Sequence, residues 1–175
     1  MRRRRVRGFT LIELLVTIAL IAIVLAIGLP NFQQAIRSNR VATATNELMA
    51  AITLARSEGM RGQGGGHVCT SPDGIACGGD WNDGWMVWTD RNRDDAPSSD
   101  EVMRYVRAPE QIAIAASAGS GSLKAFKFDL RGRLDDDALR GFTLQPSECS
   151  AGAEQVRSIR IAVTGQIRME RDACR

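Results

Sequence analysis

One carboxylate in this chain stands where a charge is expensive. Glu13 lies inside an apolar run from Phe9 to Leu29 that holds no other charged residue. An acid that deep in a membrane-length helix costs on the order of 3 kcal/mol or more unless something pairs with it. No basic residue inside the run can neutralise Glu13, so its partner has to come from outside, which points to assembly. A second set of chemistry-bearing side chains lies near the C-terminus. Arg157, Arg168, Arg171 and Arg175 could form a phosphate-contacting patch, because phosphate neutralisation is largely independent of sequence.

The remaining constellations carry less. Asp90, Asn92, Asp94 and Glu101 occupy positions one, three, five and twelve of a calcium-type loop. The glycine required at position six is Asp95, and Pro97 intrudes, so the segment reads as an acidic loop between strands with no metal. His67, Cys69 and Cys77 do not have the spacing of a zinc site, and His67, the single histidine, reads as a loop residue. Asp135 to Asp137 reads as a solvated turn, with no histidine or other base beside it. No serine or cysteine sits in a nucleophile motif, and no phosphate-cradling loop with a downstream lysine is present. The chain is therefore read as a non-enzyme without a cofactor.

The elements that must position Glu13 follow from composition. About 20 apolar helical residues cross a hydrocarbon core of ~30 Å, and Phe9 to Leu29 is long enough. Arg2 to Arg5 and Arg7 flank one end, which keeps the N-terminus cytoplasmic and sends the rest outward. From Asn31 to Met60 polar residues increase but helix formers continue. Phe32, Ile36, Ala44, Leu48, Ile52, Ala55 and Gly59 recur mostly at three- and four-residue spacing, one face of an amphipathic helix. Gly28 and Pro30 are expected to break or kink this helix near the membrane boundary, and Gly62, Gly64, Gly65 and Gly66 to end it. Beyond them the period becomes two. Strands are expected at 84–89, 101–107, 111–115, 123–129, 141–145, 156–163 and 167–171, which makes the head all-β. Trp85 and Trp88 fall on opposite strand faces, so one of them is expected to be partly exposed.

All four cysteines lie on the outward side, where an oxidising compartment favours disulfides. Four cysteines allow three connectivities. Cys69 and Cys77 flank a short loop with Pro72 and Gly74. Cys149 precedes the penultimate strand and Cys174 follows the last, and a hairpin would bring those two together. The expected pairs are Cys69–Cys77 and Cys149–Cys174. In that hairpin, a three-residue loop at Thr164-Gly165-Gln166 puts Ile159, Ile161, Val163, Ile167 and Met169 on one face. It sets Ile167 opposite Val163 and Glu170 opposite Arg160, and leaves Arg168 opposite Ala162.

Gly8-Phe9-Thr10-Leu11-Ile12-Glu13 resembles the type IV prepilin signature, in which small residue, aromatic, acid and apolar run keep register. The resemblance implies cleavage by a prepilin peptidase between Gly8 and Phe9, N-methylation of Phe9, and a role for Phe9 and Glu13 in assembly with other pilins or pseudopilins. Leu54-Ala55-Arg56-Ser57-Glu58, Asp83 to Asp90 and the closing strand pair resemble the GspH/FimT group of minor pilins and pseudopilins. The implied protein is α+β, a long N-terminal helix packed on an antiparallel β head. It would comprise a leader at 1–8, a transmembrane helix at 9–29, an amphipathic helix at 30–61 and a periplasmic head at 62–175. It would sit in the bacterial inner membrane before filament assembly, serving type II secretion or pilus biogenesis. Removing 1–8 leaves 18 basic against 20 acidic side chains, so the basic balance of the whole chain is no argument for a nucleic-acid partner. The alternative is a DNA-binding minor pilin of a competence pilus. Some FimT-like pilins use a Gly-Arg-x-Arg stretch, but the matching residues here are Gly165-Gln166-Ile167-Arg168, with Gln166 in place of the first arginine.

Overall fold

The computed structural model describes residues 9–62, 64–119, 121–136 and 138–175. The elements are α1 (Leu11–Arg61), β1 (Gly66–Thr70), β2 (Gly84–Trp88), β3 (Val102–Arg107), β4 (Ile112–Ala118), β5 (Gly121–Ser122), β6 (Ala125–Phe128), β7 (Arg140–Pro146), β8 (Val156–Ile161) and β9 (Ile167–Asp172). The chain divides into two units, Met1–Ile36 and Arg37–Arg175. In the first unit the described residues are the apolar start of α1. Its large side chains, from Phe9 at 87% exposure to Ile36 at 37%, are exposed throughout, as a segment built to meet lipid or other helices would be.

In the second unit two antiparallel sheets form, ordered β3-β2-β1-β6 and β5-β4-β7-β8-β9. The face of α1 that they bury is set by spacing. Val41, Ala44, Leu48, Ala51, Ile52 and Ala55 recur every three or four residues and are fully buried. Val68, Trp85, Val87, Phe126 and Phe128 from one sheet meet Ile112, Ile114, Phe142, Leu144, Ile159 and Ile161 from the other in the same cluster. Trp81 joins them: its ring lies edge-on to Phe142 at 4.8 Å, and its Nε1 donates to the Leu123 carbonyl at 2.7 Å.

Four local expectations are corrected. First, α1 runs through Gly28 and Pro30 without interruption, so neither ends the helix; Pro30 only withholds an amide from the carbonyl four residues back. Second, the glycine run that ends α1 also opens a strand. β1 starts at Gly66, and His67 pairs with Trp88 on one side and Lys127 on the other, so His67 is a strand residue. Third, Trp85 and Trp88 are both buried. β2 is an inner strand covered on each face: Trp85 joins the main core, and Trp88 joins Cys69, Met86, Val102 and Tyr105 on the reverse side.

The fourth correction is the register of the closing hairpin. The Gly165 amide donates to the Ala162 carbonyl at 2.8 Å and the Ala162 amide to the Gln166 carbonyl at 2.9 Å. The loop is therefore Val163-Thr164-Gly165, with Gly165 at φ 78°, the three-residue type that needs a left-handed glycine. Ile167 faces Ile161, Arg168 faces Arg160, Glu170 faces Ser158 and Arg171 faces Arg157. The Val163 carbonyl is engaged by the Leu134 amide at 2.9 Å, a tertiary bond that withdraws Val163 from the strand. The shift is two residues, so every side chain keeps its face. Glu170 still reaches Arg160 diagonally, at 3.7 Å.

Candidate functional site

Glu13 is built from the start of α1. Thr10 stands just before the helix and its Oγ1 accepts a hydrogen bond from the Glu13 amide at 3.2 Å. Thr10 is thus the N-cap, satisfying one orphan amide, and Glu13 sits at the third helical position with the Thr-x-x-Glu spacing of a capping box. Sequence reasoning missed this second role, although the Ser/Thr-x-x-Glu spacing would have shown it. Among the described residues Glu13 makes no ion pair. Gly8, Arg2 to Arg5 and Arg7 lie outside the described residues.

The C-terminal arginines do not share a surface. Arg157 is 5% exposed, on the inward face of β8 with Ile159 and Ile161. Its Nη1 donates to the carbonyls of Glu154, at 3.1 Å, and Val156, at 2.9 Å. Burial, and then the charge of Arg171, holds its pKa below the ordinary arginine value. Arg157 therefore leaves the expected phosphate patch. Arg168 lies on the opposite face of the hairpin beside Arg160, whereas Arg171 lies opposite Arg157. Arg168, Arg171 and Arg175 are exposed, but two of them point to different sides. The alternation of a strand splits residues 168 and 171, which a list of arginines in sequence does not reveal.

Disulfides join Cys69 to Cys77 and Cys149 to Cys174. The second ties the tail back to the β7–β8 connection, where the Cys174 amide and carbonyl also bond Ala153 and Gly152. The acidic loop turns two of its carboxylates, Asp90 and Glu101, inward and leaves Asp94 exposed. Glu101, 1% exposed, accepts from the amides of Arg91, Asn92 and Ser98 and from the Ser98 hydroxyl. Asp90 accepts from the amides of Asp94 and Asp95. These bonds, led by the Ser98 hydroxyl, hold the Glu101 carboxyl below its ordinary pKa. The oxygens that resemble calcium ligands in sequence are occupied by the backbone of their own loop.

His67 stacks on Trp88 with ring centroids 4.1 Å apart, and its Nε2 lies 3.0 Å from the Gly64 carbonyl. Burial lowers its pKa below the usual 6.5, outweighing the Gly64 contact, which raises it. The unfolded chain therefore takes up the proton more readily, so this contribution to stability is complete above about pH 6.5 and is lost as pH falls through the folded value. Between pH 7.5 and 5, thermal unfolding of the wild type should show a decline in Tm that His67→Phe reduces; parallel curves would refute the assignment.

Similarity to known proteins agrees with this architecture. The family of type II transport protein GspH matches residues 44–165, and the prokaryotic N-terminal methylation motif matches residues 3–29. No curated protein sequence matches the chain. Two crystal forms of the type IV minor pilin FimU of Pseudomonas aeruginosa share the fold at 18% identity. One gives a TM-score of 0.58 over 75% of this chain and 89% of that one. The other gives 0.55 over 74% and 91%. The helix, the two-sheet head and a family match over most of the chain agree: this chain belongs to the GspH family, minor pilins and pseudopilins that act as structural subunits of type IV-pilus-like filaments.

Proposed function

We propose that the chain is cut between Gly8 and Phe9 by a prepilin peptidase, methylated on Phe9, and held in the inner membrane by residues 9–29 until it enters a filament. Residues 30–61 carry the helix into the periplasmic head, and 62–175 complete that head. In lipid the Glu13 carboxylate has no partner of opposite charge within its own apolar run. In a filament it meets the methylated amino group of Phe9, from its own subunit or a neighbour, and the apolar helices form a shared core. The observation that carries this reading is the methylation motif over residues 3–29, with Glu13 the one charge between Phe9 and Leu29. One helix among the described residues is long and apolar enough to cross a membrane, which supports the anchoring step.

Gly8→Leu should block cleavage almost completely, because the peptidase acts after a small residue. Intact-mass measurement of the membrane-extracted protein would then find residues 1–8 still attached and Phe9 unmethylated. A Gly8→Leu protein whose mass equals that of the processed wild type would refute the cleavage site.

A further inference from the structure

Strand β9 closes its sheet, with β8 on one side and no strand on the other among the described residues. The Ala162 amide bonds the Gln166 carbonyl, and bonded and unbonded pairs alternate along an antiparallel ladder. Residues 168, 170 and 172 therefore bond to β8, while the amides and carbonyls of Ile167, Met169 and Arg171 point out of the edge. The side chains are open as well. Arg168 to Asp172 are exposed, and Met169 stays 40% exposed although its neighbour Ile159 is fully buried. Such an edge is a template for another strand.

Charged side chains usually protect an exposed edge, and here their signs decide otherwise. The outer face of β9 carries Arg168, Glu170 and Asp172. Glu170 reaches Arg160 only at 3.7 Å, and Arg168 has no ion pair among the described residues. A second β9 can be laid antiparallel along the edge with Met169 against Met169. Arg168 then falls opposite Glu170 of the second copy, and Glu170 opposite its Arg168. On the other face Ile167 falls opposite Arg171 of the second copy, whose aliphatic stem can cover it. A two-residue slip one way sets Arg168 against Arg168, and the other way Glu170 against Glu170. Like charges directly opposite are destabilising. One register alone makes the Arg168–Glu170 pair twice without setting like charges face to face.

We infer that β9 is a docking edge for a second copy of this chain, joined antiparallel about a two-fold axis at Met169 so that the two sheets become continuous. The outward main-chain groups supply the bonds, and the Arg168–Glu170 pairs fix the register. The purified full chain in detergent micelles, where no bilayer imposes one direction on both helices, should form concentration-dependent dimers by sedimentation equilibrium. Arg168→Glu alone, or Glu170→Arg alone, sets like charges opposite at both pairs and should weaken the dimer by about tenfold or more. The two substitutions combined in one chain restore opposite charges and should restore the dimer. An equal mixture of the two single variants should also dimerise, each with the other. Both positions are exposed, so all variants should melt as the wild-type monomer does. A wild type that stays monomeric at every concentration reached would overturn the edge. Dimers equally strong in both single variants would overturn it too, since association through residues 9–29 ignores these charges. Failure of the combined variant to regain the dimer would refute the register.

Discussion

Glu13→Ala is expected to reduce entry into filaments by at least roughly two to four orders of magnitude while leaving membrane insertion intact. The substitution removes a cost in the bilayer, since an isolated acid at mid-helix is disfavoured by about 3 kcal/mol. In the filament it removes a partner from a buried pair, and breaking such a pair costs about 3–5 kcal/mol. At about 1.4 kcal/mol per decade that is the stated loss. The capping-box spacing supplies a control for the helix start. Glu13→Gln keeps a side chain that can complete the box but abolishes the charge, so it should fail like alanine if pairing drives assembly. Site-specific cross-linking of membrane-extracted subunits to filament neighbours measures this. Normal incorporation of both variants would defeat the pairing; normal incorporation of Glu13→Gln alone would assign Glu13 to capping.

The largest effect on stability should come from a single methyl group. Gly66 begins β1, and a Cβ there would sit 1.7 Å from the Ala55 carbonyl oxygen on α1. The obstruction is backbone on both sides, so no rotamer change relieves it. The strand and helix must separate, opening the contact between α1 and the β1–β6 pair, where a Cβ on Gly59 would lie 2.9 Å from the Phe128 carbonyl oxygen. Overpacking usually costs about 1–3 kcal/mol, and a backbone clash belongs at or above the top of that range. With about 2–4 °C lost per kcal/mol for a domain near this size, Gly66→Ala should lower the Tm of the head by roughly 10 °C. At Gly78 a Cβ would have nothing within 4 Å of it, and Gly78→Ala should be close to neutral. Similar melting temperatures for the two variants would show that the helix and strand are not held at that distance.

Glu13 was readable as a residue of consequence because the bilayer acts on sequence directly: a lone charge in a long apolar run is costly whatever the head does. The buried face of α1 was likewise readable, because residues 44, 48, 52 and 55 keep helical spacing and only one side of a helix can face a core. The disulfide pairs followed from the loop between Cys69 and Cys77 and from the closure of the last hairpin.

Other features depended on partners far along the chain. Gly62 to Gly66 carry the composition of a helix terminus, and nothing local shows that Gly66 must admit α1 into contact with a strand. The hairpin register is governed by Leu134 bonding Val163, far back along the chain, and by a Gly165 whose Cβ would lie 2.0 Å from the Gly132 carbonyl. Trp88 is buried because β2 has neighbours and cover on both faces, a property of the sheet rather than of the strand. Periodicity, capping signals, apolar run length and motif are short-range, so the sequence by itself determined the apolar membrane-length segment, the class of fold, the helix face and the acid at position 13. Which arginines share a surface, which glycines admit a neighbour and which acids are consumed by their own loop were decided only by tertiary structure, because each depends on atoms brought together by folding across long stretches of chain.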